Sequence, residues 1–343
     1  MNAAIPETHP PPPGDRPRDP LVEVRGLSVA FPRDRAENRA VDGISYVIRP
    51  GRALGVVGES GCGKTVAALA LLRLVPAPGR ITGGEIAFDG RDLLALTPRE
   101  MEALRGDRIA MIFQEPMTAL NPVLPVGEQI AEVLVAHRDA GPREAREAAI
   151  ALLDAVGIAD APRRADAYPH RLSGGQRQRV MIAMALACGP ALLIADEPTT
   201  ALDVTVQAQI VALLLRLQDE TGMAIQFISH NLGVISEIAD EVAVMYAGRI
   251  VERAPIAELL AAPAHPYTLG LLETVPRLGA RRTHGARRLP AIPGSVPPPG
   301  ALIRGCAFRA RCARARADCG ESAPPLEPLA PGHWVACFAP GGR

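Results

Sequence analysis

The sequence has little lysine, few aromatic residues and no excess of charge of either sign. Only one of the 37 basic side chains in its 343 residues is lysine, and aromatic residues make up 3% of the chain. Because 48% of the residues are hydrophobic, we expect a packed and mainly aliphatic core. The formal net charge of zero argues against a dedicated nucleic-acid surface.

The sequence also lacks a hydrophobic run long enough to span a membrane. The longest uncharged, mostly apolar run, Val180 to Ala195, has 16 residues and is interrupted by Gly189-Pro190, whereas a spanning helix needs ~20. The first 20 residues contain seven prolines and no apolar stretch of the signal-peptide type, so residues 1–20 are predicted to be a disordered tail. We therefore expect a soluble protein of the cytoplasm, whose six cysteines are reduced thiols or metal ligands.

One glycine-rich stretch carries the strongest functional signal. Gly58 to Thr65 read G-x-x-x-x-G-K-T, after an apolar strand predicted at Ala53 to Val57 and before a predicted helix. This is the phosphate-binding loop in its usual context, and we expect the amides of Gly61 to Lys64 to point inward at a bound phosphate. The candidate ATP-binding residues of this loop are Gly58, Ser60, Gly61, Cys62, Gly63, Lys64, Thr65 and Val66.

Lys64 is the sole lysine of the chain, and it falls inside this loop. Arginine is a planar fork and lysine a compact, mobile point charge, so the two are not interchangeable in a tight phosphate cradle. We expect Lys64 to reach the β- and γ-phosphates of a nucleoside triphosphate, and Thr65 to offer its hydroxyl to Mg²⁺.

Apolar strands alternate with helical patterns after this loop. The alternation predicts an α/β fold of the P-loop NTPase type with a mainly parallel sheet, preceded by an antiparallel N-terminal β region. Helical spacing predicts an insert at about 115–172 within a nucleotide-binding domain over 21–255. From about residue 256 to 343 the chain is rich in Pro, Arg and Cys, which indicates a small C-terminal extension.

Two acidic residues follow a second apolar strand. Leu192 to Ala195 lead into Asp196 and Glu197. Beside a phosphate loop, Asp196 fits a carboxylate that holds the Mg²⁺ shell, and Glu197 is placed to orient or deprotonate an attacking water. The alternative is a solvent-facing strand end with no catalytic role.

A second glycine-rich motif, Leu172-Ser173-Gly174-Gly175-Gln176, opens a predicted helix and resembles the signature of the ATP-binding-cassette (ABC) superfamily. From the residues alone, this motif is either a second anion site or an ordinary helix cap by Ser173. The resemblance extends to the order of the motifs, because the phosphate loop, Gln114, the signature, Asp196-Glu197, Asp203 and His230 follow one another along the chain.

The resemblance implies that two such domains dimerise head to tail. The signature residues of one domain would then complete the ATP site of the other, and these residues are Ser173, Gly174, Gly175 and Gln176. Asp203 would couple the two sites. Mg²⁺ would be held by Thr65, Gln114 and Asp196, and Gln114 would also sense the membrane subunits.

The same resemblance assigns the catalytic roles and the adenine contact. Glu197 would be the catalytic carboxylate, His230 the switch that contacts the γ-phosphate, and Lys64 the phosphate-binding cation. Phe31 would stack on adenine, although an ordinary buried strand residue is the alternative. A purely structural role is likewise the alternative for His230.

Longer stretches resemble the peptide and nickel uptake group, most of all its dipeptide-type first ATPase subunit. They are residues 56–65, 111–122, 168–172, 245–248 and 265–268, and the resemblance covers about 21–340. It implies ATP hydrolysis that energises import of dipeptides or oligopeptides, by a peripheral subunit on the cytoplasmic face of the membrane. The implied partners are a second, different ATPase subunit, two permeases and an extracytoplasmic solute-binding protein, with no nucleic acid. Nickel or another small solute is the alternative substrate.

Four cysteines near the C-terminus are spaced as C-x5-C-x6-C-x17-C; they are Cys306, Cys312, Cys319 and Cys337. Four soft ligands suit an iron–sulfur cluster or zinc, although the spacing is wider than in zinc fingers. The resemblance to dipeptide-type subunits favours a [4Fe–4S] cluster, with zinc and unligated thiols as the alternatives. Cys188, on an apolar helix, is predicted to be a core residue.

Two other functions fit the sequence less well. A soluble ABC protein that acts on ribosomes or DNA would usually carry two cassettes or a coiled-coil insertion, and neither is visible here. A P-loop GTPase would need a guanine-reading Asn-Lys-x-Asp motif, and the only lysine is already in the phosphate loop.

Overall fold

A computed structural model describes residues 19–33, 36–114, 119–200, 202–274, 292–298, 301 and 303–341. Residues 1–18, most of the predicted disordered tail, lie outside the described residues. The described chain forms two compact units. The first contains residues 19–21, Ile48–Arg52 and Phe88–Gln226; the second contains Val22–Val47, Ala53–Ala87 and the chain from Phe227 onward.

The strands are β1 Val22–Arg33, β2 Ala36–Ile48, β3 Ala53–Val57, β4 Arg80–Phe88, β5 Arg91–Asp92, β6 Ile109–Ile112, β7 Leu192–Asp196, β8 Ala224–Ser229, β9 Glu241–Tyr246, β10 Arg249–Pro255, β11 Glu327–Ala330 and β12 His333–Val335. The α-helices are α1 Lys64–Leu71, α2 Pro98–Leu104, α3 Val126–Arg138, α4 Pro142–Ala155, α5 Ala161–Ala165, α6 Gly174–Leu186, α7 Val204–Thr221, α8 Leu232–Ile238, α9 Ile256–Ala261, α10 Pro266–Thr274 and α11 Asp318–Glu321. Short 3₁₀ helices lie at Pro169–Arg171 and Arg309–Arg311. Within the described ranges, no helix is both long and apolar enough to cross a membrane.

The second unit contains the strand that leads into the phosphate loop. This strand, β3, is buried along its whole length and pairs in parallel with β9, with Leu54 opposite Glu241 and Val57 opposite Val244. Strand β10 returns antiparallel to β9 after a turn at Ala247-Gly248, where both residues have positive φ. Such a pair of left-handed residues is typical of a tight hairpin turn.

The first unit contains the strand that ends in the two acids. Strands β6 and β7 pair in parallel, with Ile109 opposite Leu192 and Ile112 opposite Ala195. The described residues between 119 and 171 form helices and loops, which is the region where the sequence predicts a helical insert.

The C-terminal extension joins the sheet of the second unit. Strand β12 pairs antiparallel with β10 and with β11. The fully buried carboxylate of Glu252 on β10 accepts hydrogen bonds from the amides of Ala264 (2.7 Å) and His265 (2.8 Å), and its Oε1 lies 2.8 Å from Nε2 of His333 on β12. A buried carboxylate needs such partners, so Glu252 fixes the start of the extension to the sheet. The predicted boundary between 255 and 256 remains a prediction.

Candidate functional site

The phosphate loop has a backbone that two of its glycines make possible. Gly63 precedes α1 with φ of 101°, and an added Cβ there would lie 2.2 Å from the carbonyl oxygen of Ala40. A Cβ on Gly58 would lie 2.2 Å from the carbonyl oxygen of Met245. No side chain fits at either position, so both glycines are required by the fold of the loop.

The side chain of Lys64 is buried within this loop. Its ammonium donates hydrogen bonds to the carbonyl oxygens of Gly58 (2.8 Å) and Glu59 (3.2 Å), and the residue is only 5% exposed. Two carbonyl oxygens of the loop therefore accept hydrogen bonds from the Lys64 ammonium, where we expect phosphate oxygens to bind. A compact ammonium suits this space better than a guanidinium fork.

Cys62 is buried and takes part in a backbone hydrogen bond within the loop. Its amide donates to the carbonyl oxygen of Glu59 at 3.3 Å, and the prediction that this amide binds a phosphate stays a prediction. The thiol is fully buried, and burial raises its pKa. A buried thiol with a raised pKa is poorly reactive. Cys188 is 3% exposed, as predicted for a core residue.

Phe31 and His230 both belong to the second unit. Phe31 is half-buried on β1, and a Cβ on Gly79 would lie 2.5 Å from its ring, so the two residues are in close contact. His230 is exposed directly after β8. The next residue, Asn231, caps α8 by accepting a hydrogen bond from the amide of Gly233 at 2.9 Å. The adenine and γ-phosphate contacts stay predictions.

In the first unit the structure brings Gln114 and Glu197 together. The side-chain amide of Gln114 donates to Oε2 of Glu197 at 3.3 Å, and the hydroxyl of Thr200 donates to the same oxygen at 2.8 Å. Glu197 has φ of 46°, a left-handed conformation that is uncommon for a residue with a side chain. Asp196, at the end of β7, is 1% exposed. Strain of this kind accumulates at functional sites, where the surrounding contacts hold it in place.

The signature motif begins α6 with a reciprocal cap. The hydroxyl of Ser173 accepts a hydrogen bond from the amide of Gln176 at 3.3 Å, while the side chain of Gln176 accepts one from the amide of Ser173 at 3.0 Å. A Cβ on Gly175 would come within 2.8 Å of Val206. The capping role of Ser173 is therefore present, and its part in a second anion site stays a prediction.

Asp203 also caps a helix. Its carboxylate accepts a hydrogen bond from the amide of Val206 at 2.9 Å at the start of α7. This cap was not predicted from the sequence, although an Asp directly before a helical pattern is a recognised signal. The predicted coupling role of Asp203 is untested by this contact.

The four C-terminal cysteines line one cavity together with His265 and Phe308. Cys319 is buried and the other three are half-buried, and burial raises the pKa of the thiols of Cys306 and Cys337. Among the residues that the structure describes, no group of three or more His, Cys, Asp or Glu side chains is placed to hold a metal ion. The four thiols therefore line one cavity but are not arranged around the position of a single metal ion.

Three residues of the second unit were missed by sequence analysis. Glu59, in the phosphate loop, contacts Tyr267 and Arg311 of the C-terminal extension. More than 200 residues separate these partners along the chain. No local pattern signals contacts of that range.

Comparison with known proteins agrees with this geometry. Residues 41–200 match the family described as ABC transporter, and residues 251–319 match the oligopeptide/dipeptide transporter C-terminal region. A probable peptide ABC transporter ATP-binding protein of Sinorhizobium fredii is 51% identical over 93% of this chain and 95% of its own length. The oligopeptide transport ATP-binding protein OppD of Salmonella typhimurium is 50% identical, with 95% of each chain covered.

Solved structures show the same fold over the cassette. The ATP-binding cassette MJ0796, in a dimeric post-hydrolysis state bound to ADP and Pi, superposes with a TM-score of 0.61 at 27% identity. That comparison covers 69% of this chain and 99% of the other. The protein cbiO1 of Clostridium perfringens, part of the ABC transporter complex cbiONQ, gives a TM-score of 0.61 at 26% identity, over 71% of this chain and 91% of the other.

Proposed function

The chain belongs to the ABC transporter ATP-binding proteins that carry the oligopeptide/dipeptide C-terminal region. We propose the following roles for its residues in peptide import. It hydrolyses ATP to energise uptake of peptides, as the names of its relatives indicate. Its substrates are dipeptides or oligopeptides. Nickel and other small solutes are less well supported, because the relatives named here are described as peptide or oligopeptide proteins.

The phosphate loop binds the triphosphate. Lys64 exchanges its bonds to the carbonyl oxygens of Gly58 and Glu59 for bonds to the β- and γ-phosphates. Gly63 has no side-chain oxygen to cap α1, so a phosphate is the natural acceptor for the first amides of that helix. Phe31 stacks on the adenine.

We propose that Mg²⁺ is held by oxygen donors of these motifs. The hydroxyl of Thr65, the buried carboxylate of Asp196 and the side-chain oxygen of Gln114 are the hard ligands that this ion prefers. When bound, the ion neutralises charge on the phosphates.

Glu197 orients and deprotonates the attacking water, and His230 contacts the γ-phosphate. The observation that carries this assignment is the double restraint on Glu197, whose Oε2 accepts from both Gln114 and Thr200. A carboxylate that is held in place loses little freedom when the transition state forms. Gln114 is thereby positioned to pass a change at the membrane subunits to the catalytic carboxylate.

The working unit contains two ATPase subunits. The signature residues Ser173 to Gln176 complete the ATP site of the partner, and Asp203 couples the two sites. The partner is a second, different ATPase, and the pair binds two permeases on the cytoplasmic face of the membrane. A solute-binding protein outside the membrane delivers the peptide.

Affinity purification of the tagged chain from membranes tests this assembly. We expect two permeases and a second ATPase to be recovered with it. Recovery of ribosomes or nucleic acid instead would retain the ATPase chemistry and overturn the transport role.

We further propose that the four cysteines of the extension hold a [4Fe–4S] cluster. The support is the donor set, because all four thiols line one cavity and soft thiolates suit iron–sulfur chemistry. The sequence spacing of the four cysteines, which is wider than the close pairs of zinc fingers, suits zinc less well. Iron and sulfide analysis of protein purified without oxygen is the test. About four of each per chain is the expected result, and a metal-free protein with a folded extension would refute the proposal.

A further inference from the structure

The C-terminal extension holds the phosphate loop at Glu59, directly after Gly58. The carboxylate of Glu59 accepts two hydrogen bonds from Arg311, at 2.6 and 3.0 Å, one to each oxygen. The amide of Glu59 donates to the hydroxyl of Tyr267 at 2.8 Å. Backbone and side chain of the same loop residue are therefore both bound by the extension.

The orientation of the Arg311 side chain is fixed by contacts other than those with Glu59. Its side chain is only 4% exposed, and its Nε donates to the carbonyl oxygen of Pro293 at 2.8 Å. The guanidinium also lies 5.8 Å from the ring centres of both Tyr246 and Phe308. A guanidinium held in this way offers a rigid fork to a carboxylate, which favours two parallel hydrogen bonds.

Tyr267 is equally constrained. It is fully buried, its amide donates to Nδ1 of His265 at 3.0 Å, and its ring meets that of Tyr246 edge to face at 4.7 Å. Burial lowers the pKa of His265 to about 4, so near neutral pH the imidazole is uncharged and its nitrogen can accept that bond. The hydroxyl of Tyr267 is thus presented to the loop by a rigid surface.

The contacts of Arg311 and Tyr267 with Glu59, here called the clasp, bear on nucleotide binding because Glu59 lies in the phosphate loop. Lys64 donates to the carbonyl oxygens of Gly58 and Glu59, so the clasp fixes the segment that also holds the phosphate-binding cation. An unpaired carboxylate in this loop would repel a triphosphate, whereas pairing with Arg311 compensates its charge.

We propose that Arg311 and Tyr267 are positioning residues for ATP binding: through Glu59 they hold the phosphate loop in shape and compensate the negative charge within it. The inference rests on the proposed ATPase function. It gives the extension a direct part in the nucleotide site, in addition to any role of its cysteines.

The test compares ATP affinity, measured by displacement of a fluorescent nucleotide, and the KM and kcat for hydrolysis in full-length variants. For Arg311→Leu we expect the ATP dissociation constant and KM to rise about tenfold, with kcat changed by less than about threefold. The double variant Glu59→Gln with Arg311→Leu should bind ATP more tightly than Arg311→Leu, because the uncompensated charge is gone.

Arg253→Leu is the matched control. Arg253 also pairs with a carboxylate, Glu241 at 2.9 Å, and lies 5.7 Å from the ring centre of Trp334, but it does not touch the loop. Its loss should lower the melting temperature and leave ATP affinity unchanged. If Arg311→Leu does not fold, Tyr267→Phe removes only the hydroxyl and should still weaken ATP binding about threefold.

Unchanged ATP affinity in both Arg311→Leu and Tyr267→Phe, with only a lower melting temperature, would overturn the inference. So would a double variant that binds no better than Arg311→Leu. Wild-type protein that binds ATP but does not hydrolyse it would refute the proposed function alone, since the affinity measurements would still decide the role of Arg311.

Discussion

Gln114 donates a hydrogen bond from its side-chain amide to the carboxylate of Glu197, across 3.3 Å and 83 positions of sequence. Thr200 donates to the same carboxylate oxygen at 2.8 Å. The two residues that family resemblance assigns to sensing and to catalysis are therefore in direct contact. A displacement of Gln114 would release one of these two restraints on the catalytic carboxylate.

Replacement of Glu197 by Gln should abolish turnover and leave ATP binding intact. The amide keeps the size of the side chain but cannot take a proton, so we expect hydrolysis to fall by about 10²- to 10⁴-fold. Steady-state hydrolysis and nucleotide affinity are measured on the same preparation. Because ATP binding survives without hydrolysis, a closed complex with the proposed second ATPase should accumulate. Turnover at the wild-type rate would remove Glu197 from the catalytic role.

Lys64→Arg should lose ATP binding although the charge is kept. The ammonium of Lys64 is buried between the carbonyl oxygens of Gly58 and Glu59, and a guanidinium is larger and planar. We expect the ATP dissociation constant to rise at least about tenfold, close to the value for Lys64→Ala. An arginine variant with wild-type affinity would show that charge alone is required.

Ser173→Ala should affect both stability and turnover, whereas Thr97→Ala should affect stability alone. Both residues form a reciprocal cap, Ser173 with Gln176 and Thr97 with Glu100, so each alanine should cost about 1 kcal/mol of unfolding free energy. Only Ser173 is proposed to serve a partner's ATP site. Hydrolysis by the assembled complex, alongside denaturant unfolding of each variant, separates the two effects. Equal turnover in the two variants would leave Ser173 with capping alone.

Gly63→Ala should disrupt the phosphate loop, and Gly141→Ala should be nearly neutral. An alanine at residue 63 would place its Cβ against the carbonyl oxygen of Ala40 and would have to adopt a φ of 101°. Gly141, by contrast, has a φ of −66°, and no atom lies within 4 Å of a Cβ added there. We expect Gly63→Ala to lose about 2 kcal/mol or more of stability together with ATP binding. Thermal unfolding and nucleotide titration of both variants are the measurements, and a stable Gly63→Ala protein that binds ATP normally would contradict the argument.

Much of the chain could be predicted because its signals are local. The strand, the glycine spacing and the helix of the phosphate loop lie within about 20 residues of one another, and β3 falls at its predicted position. By contrast, β4 was not identified, since its first six residues are mostly exposed and include two adjacent glycines. The hydrogen-bonding direction of the Cys62 amide depends on the detailed path of the loop, which spacing does not define.

Contacts between distant segments could not be predicted in the same way. Arg311 and Glu59 are 252 positions apart, and the arginine lies among several others in a segment whose plainest interpretation is a solvated basic surface. Only the folded chain shows that this arginine is buried while its neighbours Arg309 and Arg314 are exposed or partly exposed. Cooperation between the extension and the phosphate loop is therefore a structural result.

Uptake of a labelled peptide by cells tests the central claim most directly. A strain that lacks this chain is complemented with wild-type protein or with Glu197→Gln, and equal amounts of the two proteins are verified in the membrane fraction. The account predicts that wild type restores uptake and that Glu197→Gln does not. Uptake that is equal with either protein, or that persists without the chain, would contradict the claim that ATP hydrolysis by this subunit energises peptide import.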